Sequence, residues 1–445
     1  MLSFVQAILA FLVVIGILVT VHEFGHYWVA RRLGVKILRF SVGFGKPLWS
    51  RRFGKDQTEF VIAALPLGGY VKMLDEREGE VAPSELHREF NQQPLGVRAA
   101  IVVAGPLFNF LFAIVAYTVM YMIGVTGIAA VVGEVTPQSL AEQAGFRPNY
   151  QIIAVNEQAT GRWESVMQTT LQQLVDDKKE FVYSVKNEQG YESELILNLQ
   201  GMTIDDIAQG EFFKKLGMQP LDSRHWPAII GEITPDSAAE RAGLQRGDKI
   251  ISMDNQPMGD WSAWANYVSE RPGQDLRAVI ERNGQTLELI LRPDNVNGKG
   301  RMGVYAPYFV TERYNLWRSF TQGIEKTWDL SVLTLRVMVK MLTLQISHEH
   351  ISGPITIAKF AGQSAQYGIV VFLSFLGLVS VSLGVINLLP VPLLDGGHLL
   401  LYLIEWIKGN PLTENAEFFL QRIGLTLLIC LMGLAIFNDL ERLFN

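Results

Sequence analysis

The sequence predicts a polytopic α-helical membrane protein with four transmembrane helices, a membrane-reentrant β-hairpin and two α/β domains. Three observations support this fold class: apolar blocks long enough to cross a bilayer, a glycine-rich strand-like segment after the first block, and an internal repeat between the second and third blocks. The 445 residues are 49% hydrophobic, which is high for a purely soluble protein.

Four apolar blocks predict the four spans. Residues 4–21, 99–133 and 360–394 carry no charged side chain, and residues 423–438 form a shorter block that residues 418–422 extend; a spanning helix needs about 20 residues. We expect the first block to be a retained helix because no basic residue precedes it and Arg31 and Arg32 follow it. These charges place residues 31–98 in the cytosol, and both termini and the internal repeat in the periplasm.

The internal repeat predicts duplicated domains. Residues 133–139 (GEVTPQS) recur as residues 231–237 (GEITPDS), and each copy continues with an Ala-Gly pair and an Ile-Ile strand. The second copy (AGLQRGDKII, residues 242–251) resembles the PDZ signature, whereas the first departs from it at residues 147–150. PDZ domains bind extended peptides at a sheet edge; the alternative is that the pair only blocks access to a site.

Two further segments are interpreted as membrane-associated. Residues 43–47 (GFGKP) and 60–70 (FVIAALPLGGY) combine glycines with β-branched residues, which predicts hairpin strands dipping toward an active site. We expect the segment around residues 43–69 to offer a strand edge to substrate, so that a proline at Ile62 or Ala63 would remove a backbone donor from that edge. Residues 315–347 place apolar side chains at helical spacing among charged ones, which predicts amphipathic helices lying against the membrane.

The most informative motif is His22-Glu23-Phe24-Gly25-His26, at the end of the first apolar block. On a helix the two histidines project from one face, one turn apart, and Glu23 lies beside them where a bound water can meet it. Ionisable residues at membrane depth are a functional signal by default. The motif therefore predicts a zinc site with Glu23 as the catalytic residue.

A catalytic zinc needs three protein ligands and an open position for water. The best third ligand is Asp395, the only carboxylate at the end of an apolar span, and it is predicted at the same depth as His22 and His26. A helix cap is the alternative for Asp395. His398 is interpreted either as a residue that supports the ligands or as an interfacial histidine.

Composition excludes several other classes of site and partner. Cys430 is the only cysteine, so intramolecular disulfides, cysteine-rich zinc sites and iron–sulfur clusters are excluded. The net charge of −6 and the lack of a basic stripe with interleaved aromatics give no indication of nucleic-acid binding.

The chain resembles the site-2 protease family of intramembrane zinc metalloproteases over essentially its whole length. The resemblance rests on residues 22–26, on GPLFN at residues 105–109, on NLLPVPLLDGGH at residues 387–398, and on the tandem PDZ pair. It implies Zn²⁺ held by His22, His26 and Asp395, with Glu23 as general base. The residues implied to accommodate substrate are Asn387, Pro390 and Pro392, and those implied to support the packing or the site are Asn109 and Gly105.

The resemblance also implies a biological setting. The substrates would be transmembrane segments of single-pass proteins in a bacterial inner membrane, above all an anti-sigma factor already trimmed on its periplasmic side, with remnant signal peptides as a second class. Two alternatives belong to other classes. A zinc-dependent transporter would need ionisable residues along several spans, and an inactive PDZ scaffold would not need Glu23.

The domain boundaries follow from these interpretations. The predicted segments are a first span with the zinc motif (1–30), a cytosolic loop with the reentrant hairpin (31–98), a second span (99–125), two PDZ domains (126–222 and 223–308), amphipathic helices (309–365), a third span with Asp395 (366–395), a cytosolic loop (396–421), and a fourth span with the C-terminal tail (422–445).

Overall fold

The computed structural model describes residues 2–77, 79–208, 210–222, 226–343, 345–347, 351–410 and 413–444. They form two compact units. The first unit combines Met1–Val125 with Arg313–Asn445, and the second unit is Thr126–Glu312. In sequence, the second unit is therefore an insertion into the first.

The first unit contains the candidate membrane spans. Within the described chain, four helices are long and apolar enough to cross a bilayer: Val5–Arg32, Leu95–Ile123, Ile369–Asn387 and Asn415–Leu443. This confirms the prediction of four long apolar helices.

The N-terminal half of the first unit contains two of these helices and a hairpin. Its elements are α1 (Leu2–Arg32), β1 (Ile37–Phe53), β2 (Thr58–Met73) and α2 (Leu95–Ile123). The hairpin folds back on itself, because Ser41 of β1 pairs with both Tyr70 and Val61 of β2. Ile62 likewise pairs with both Val42 and Trp49, so it lies inside the sheet.

The pairing of Ile62 on both sides corrects the expectation that its backbone donor is free to pair with substrate. The last part of β2, residues 69–73, pairs with β1 at residues 37–42, and we find the available edge there. The hairpin adjoins α1 through Tyr27, whose ring contacts Phe40 and Phe60 edge to face.

The second unit consists of two similar lobes. The first lobe contains β3 (Val125–Ile128), β4 (Val132–Val135), α3 (Leu140–Ala144), β5 (Gln151–Val155), β6 (Gln158–Ala159), α4 (Trp163–Val175), β7 (Glu180–Lys186), β8 (Glu192–Asn198), α5 (Ile204–Ala208), α6 (Phe212–Leu216) and β9 (Met218–Pro220). The second lobe contains α7 (Ala238–Arg241), β10 (Lys249–Met253), β11 (Gln256–Pro257), α8 (Trp261–Ser269), β12 (Leu276–Arg282), β13 (Gln285–Leu291), β14 (Asp294–Val296), β15 (Lys299–Arg301) and β16 (Phe309–Glu312).

The sequence repeat has a structural counterpart in these lobes. Their four-stranded sheets have the equivalent orders β6-β5-β7-β8 and β11-β10-β12-β13. Ser139 caps α3 by accepting from the Glu142 amide, and Ser237 caps α7 by accepting from the Glu240 amide. Each lobe also has its own buried apolar core, as expected for duplicated domains.

The regular elements described in the C-terminal half of the first unit are all α-helices. These are α9 (Leu316–Leu342), α10 (Pro354–Tyr367), α11 (Ile369–Asn387), α12 (Asp395–Lys408) and α13 (Glu414–Phe444). α9 is amphipathic, as predicted: Gly323 and Thr327 are buried, whereas Trp317 and Trp328 are largely exposed.

Two predicted boundaries are wrong at the C-terminal end. Residues 396–421 were expected to form a loop, but α12 occupies the first part and α13 begins at Glu414. The polar side chains Asp395, His398, Tyr402 and Glu405 recur every three or four residues among the apolar residues of α12, and this amphipathic pattern explains the extra helix. The third span ends at Asn387, so Asp395 begins α12 and does not belong to α11.

Small residues let the helices approach α2 closely. Gly25 of α1 lies against the backbone of Ala104, Gly323 of α9 lies against Ile114 and Thr118, and the glycines of α11 lie against aromatic rings of α2. Small residues at such contacts are typical of helix packing in membranes. α2 therefore lies at the centre of the first unit, next to α1, α9, α11 and α12.

Candidate metal centre

Three ionisable side chains converge between α1 and α12. His22 Nε2 and His26 Nε2 are 3.2 Å apart. Asp395 Oδ2 lies 3.2 Å from His22 Nε2, and Asp395 Oδ1 lies 3.6 Å from His26 Nε2. Four-residue spacing places both imidazoles on one face of α1, and the first residue of α12 supplies the carboxylate.

The local backbone explains how Asp395 reaches this position. The chain between α11 and α12 wraps tightly over the start of α12, so that a Cβ atom at Gly396 would overlap Leu389 and one at Gly397 would overlap Val391. Leu393 has a φ of +84°, a left-handed conformation that is strained for a bulky residue. Two glycines and one strained leucine therefore bring the carboxylate to the histidines.

The imidazoles are oriented by α2, which contributes none of the three side chains. His26 Nδ1–H donates to the carbonyl oxygen of Ile101 at 2.8 Å, so the Nε2 of a neutral His26 carries a free lone pair. His22 Nδ1 lies 3.1 Å from Nδ2 of Asn109. Gly105 leaves room for both rings, since its missing Cβ would lie 2.6 Å from His26 Cε1 and 2.7 Å from His22 Cε1.

These groups fit a bound zinc ion. The three ligand atoms lie within 4.8 Å of one another, and two nitrogens and one carboxylate oxygen are a donor set that zinc favours. Asp395 Oδ2 is buried, and among the described residues it accepts no hydrogen bond. Buried acceptors normally have a partner, and a cation between the three residues would provide it.

Glu23 and the three candidate ligands line one cavity of about 520 Å³. Residues 69–73 of β2 form one wall, and Asn387, Leu393 and Leu394 contribute another. Gly69 lies close to Glu23, since a Cβ atom there would be 3.0 Å from Glu23 Cγ. The cavity is therefore lined by the candidate ligands, by the Glu23 carboxylate, which is suited to proton transfer, and by the edge of β2 at residues 69–73.

The sequence matches the model of peptidase family M50 over residues 10–431. The chain belongs to peptidase family M50. This is the site-2 protease family, and its members are zinc-dependent membrane proteases. Membership makes the protein a zinc metalloprotease, which argues against the transporter and the inactive scaffold.

Relatives of this M50 peptidase are similar over their full length. The regulator of sigma E protease of Salmonella typhi is 43% identical over 454 residues, with 100% of each chain covered. The regulator of sigma-E protease of Escherichia coli strain K12 is 43% identical over 455 residues, again with 100% of each chain. The protein of the same name from Haemophilus influenzae is 40% identical over 450 residues, covering 99% of this chain and 100% of its own.

The other predicted site residues of the M50 peptidase differ in whether they line the cavity. Asn387 and His398 line the cavity, whereas Pro390 and Pro392 do not border it. Pro392 instead packs against Gly424 of α13, where a Cβ atom would overlap its carbonyl oxygen.

Sequence reasoning missed several residues of the cavity. They are Tyr70, Lys72, Asp75, Arg77 and Tyr402. Burial lowers the pKa of His398 and raises the pKa of Tyr402 to about 12, so both side chains are uncharged near neutral pH.

Arg98 of α2 and Glu405 of α12 were also missed. They form a mostly buried ion pair of 2.6 Å that holds the Asp395-bearing helix against α2. The two residues are far apart in the sequence, and charged residues near the ends of spans are common, so no local signal pairs them.

Proposed function

We propose that this M50 peptidase hydrolyses peptide bonds within the transmembrane segments of single-pass membrane proteins. The observation that carries the proposal is the convergence of His22, His26 and Asp395 beside Glu23, in a cavity adjoining a helix long enough to span a bilayer. Because the histidines and Glu23 belong to that helix, a substrate bond has to reach them at membrane depth.

In this proposal His22, His26 and Asp395 hold the zinc ion. Zinc, when bound, lowers the pKa of a coordinated water to about 7 and polarises the substrate carbonyl. Glu23 takes the proton from the attacking water and returns it to the leaving amine. Its position in the same cavity as the ligands supports both steps.

The substrate must be unwound before hydrolysis, because a helix engages its carbonyls in internal hydrogen bonds. We infer that the unwound segment adds to the β2 edge at residues 69–73, which lines the cavity. Asn387 offers polar contacts to the exposed peptide groups. Pro390 and Pro392 then act indirectly, by shaping the turn that precedes Asp395.

The names of the relatives support a regulatory role. Since several are named regulators of sigma E, we infer that the substrate is an anti-sigma factor already trimmed on its periplasmic side, in the envelope stress response. Remnant signal peptides are a second substrate class. We infer placement in a bacterial inner membrane, and the positive flank of α1 supports an orientation with both termini and the second unit in the periplasm.

The two lobes of the second unit are proposed to be PDZ domains that select substrates. Their duplicated caps and strand orders support a pair of equivalent modules. A bulky double domain inserted between α2 and α9 would exclude substrates with a large periplasmic portion, and its sheet edges could accept peptide ligands.

The test is to map the cleavage site in a reconstituted single-pass substrate. Purified protein in vesicles should cut the substrate inside its apolar segment, as located by mass spectrometry of the products. Cleavage should stop when a chelator removes zinc and return when zinc is restored, and the His26→Ala variant should be inactive throughout. Cuts confined to the polar flanks, or cleavage that persists without zinc, would overturn the proposal.

A further inference from the structure

Asn109 is the one polar side chain of α2 that contacts a candidate ligand directly among the described residues. It is fully buried, and its amide lies 3.1 Å from His22 Nδ1. Its backbone carbonyl accepts from Ser380 Oγ of α11 at 2.8 Å, which anchors the residue. Its side-chain oxygen Oδ1 is buried and has no hydrogen-bond partner in the described part of the chain.

Ligation by His22 determines what Asn109 must do. The nitrogen of His22 that faces His26 and Asp395 is Nε2. A neutral imidazole carries one proton, so a metal bound to Nε2 requires the proton on Nδ1. That N–H points at Asn109 and needs an acceptor. An amide NH₂ cannot accept, but the amide oxygen can.

Rotating the Asn109 amide by half a turn exchanges its nitrogen and oxygen. The rotation gives His22 Nδ1–H an acceptor and the buried Oδ1 a donor, and it places the amide N–H groups where Oδ1 was. The result matches the arrangement at His26, whose Nδ1–H donates to the Ile101 carbonyl. Residues that orient metal-bound histidines commonly do so through such a hydrogen bond to the second ring nitrogen.

We propose that Asn109 is a positioning residue for the metal, accepting the Nδ1–H of His22 through Oδ1 and thereby holding Nε2 toward the ion. The inference rests on the proposed role of His22 as a ligand. The competing explanation is that the buried Asn109 side chain only fills space, while α2 is held against α11 by the bond from Ser380 to the backbone carbonyl, which any residue at this position would keep.

The experiment measures zinc affinity by chelator competition on purified full-length protein. Asn109→Leu keeps the branched shape of the side chain but removes the acceptor, and it should weaken zinc binding by about 10- to 100-fold. Asn109→Asp keeps an acceptor and should stay within about threefold of wild type. Ser380→Ala removes only the packing bond, so it should leave zinc affinity unchanged.

Two outcomes would overturn the proposal. One is wild-type zinc affinity in Asn109→Leu, and the other is equal weakening in the Leu and Asp variants. If the Leu variant does not fold, as judged by thermal unfolding, the Asp variant decides: a loss of tenfold or more contradicts the acceptor role. His22→Ala separates the ligand role of His22 from the positioning role of Asn109. Unchanged zinc binding in His22→Ala would refute the metal site itself. Weakened zinc binding in His22→Ala would support the metal site, and the Asn109 variants would then test the positioning role alone.

Discussion

Gly105 of α2 lies directly against the imidazole of His26: a Cβ atom at this position would overlap Nε2 and lie 2.6 Å from Cε1. The same atom would lie 2.7 Å from His22 Cε1. Both rings therefore occupy space that only glycine leaves free. Because the rings cannot shift without moving their nitrogens, the absence of a side chain at residue 105 is part of the candidate metal centre.

Gly105→Ala should consequently weaken zinc binding by about tenfold or more and reduce cleavage in parallel, since both imidazoles must turn away from Asp395. Gly96→Ala is a matched control in the same helix, because a Cβ atom there meets nothing within 4 Å. The measurement is zinc affinity of the two purified variants. Equal, wild-type affinity in both would contradict the close approach.

Removing the carboxylate of Asp395 should abolish tight zinc binding and activity, since one protein ligand of three is lost. The measurement is zinc per chain in Asp395→Ala after dialysis, by elemental analysis. Asp75→Asn is the control, because Asp75 lines the same cavity but lies outside the group of candidate ligands. A zinc-loaded Asp395→Ala protein would mean that the third ligand lies elsewhere.

The β2 edge makes a prediction about substrate contact. In a Cys430→Ser background, a cysteine replacing Lys72 should form disulfide cross-links with cysteines placed near the scissile bond of a substrate, because Lys72 lies on the edge that lines the cavity. A cysteine replacing Lys55, at the turn between β1 and β2, serves as the control. Comparable cross-linking at both positions would argue against strand addition at residues 69–73.

The second unit should restrict which substrates are cleaved without affecting hydrolysis. Residues 129 and 308 are hydrogen-bonded neighbours, so residues 130–307 can be replaced by a short Gly/Ser linker. The shortened protein should retain zinc, cleave trimmed substrates at a similar rate, and newly cleave untrimmed ones. If the zinc-loaded deletion variant still rejects untrimmed substrates, selection resides in the first unit.

Local sequence signals predicted much of this architecture. Uncharged runs define three of the long helices and, with the apolar residues before it, the fourth, and the spacing of His22 and His26 is a property of one helix. Asp395 stood out as the only carboxylate at the end of an apolar span, and the structure brings it to the histidines.

Other features depend on contacts between distant residues. The Ile101 carbonyl is a backbone group and has no sequence signature. The Arg98–Glu405 ion pair joins two separate helices, and the free edge of β2 depends on how the hairpin folds back on itself. The helix at residues 395–408 gives no comparable signal in the sequence, because it is too short and too polar to span a membrane.

In the proposed mechanism His22, His26 and Asp395 hold the metal while Glu23 carries out proton transfer. Glu23→Gln separates these two roles, because the substitution keeps the size of the side chain and removes its ability to accept a proton. The measurement pairs zinc content with cleavage of a reconstituted single-pass substrate. We expect about one zinc per chain, as in wild type, and no detectable cleavage; substantial cleavage by the zinc-loaded variant would show that Glu23 is not the proton-transfer group.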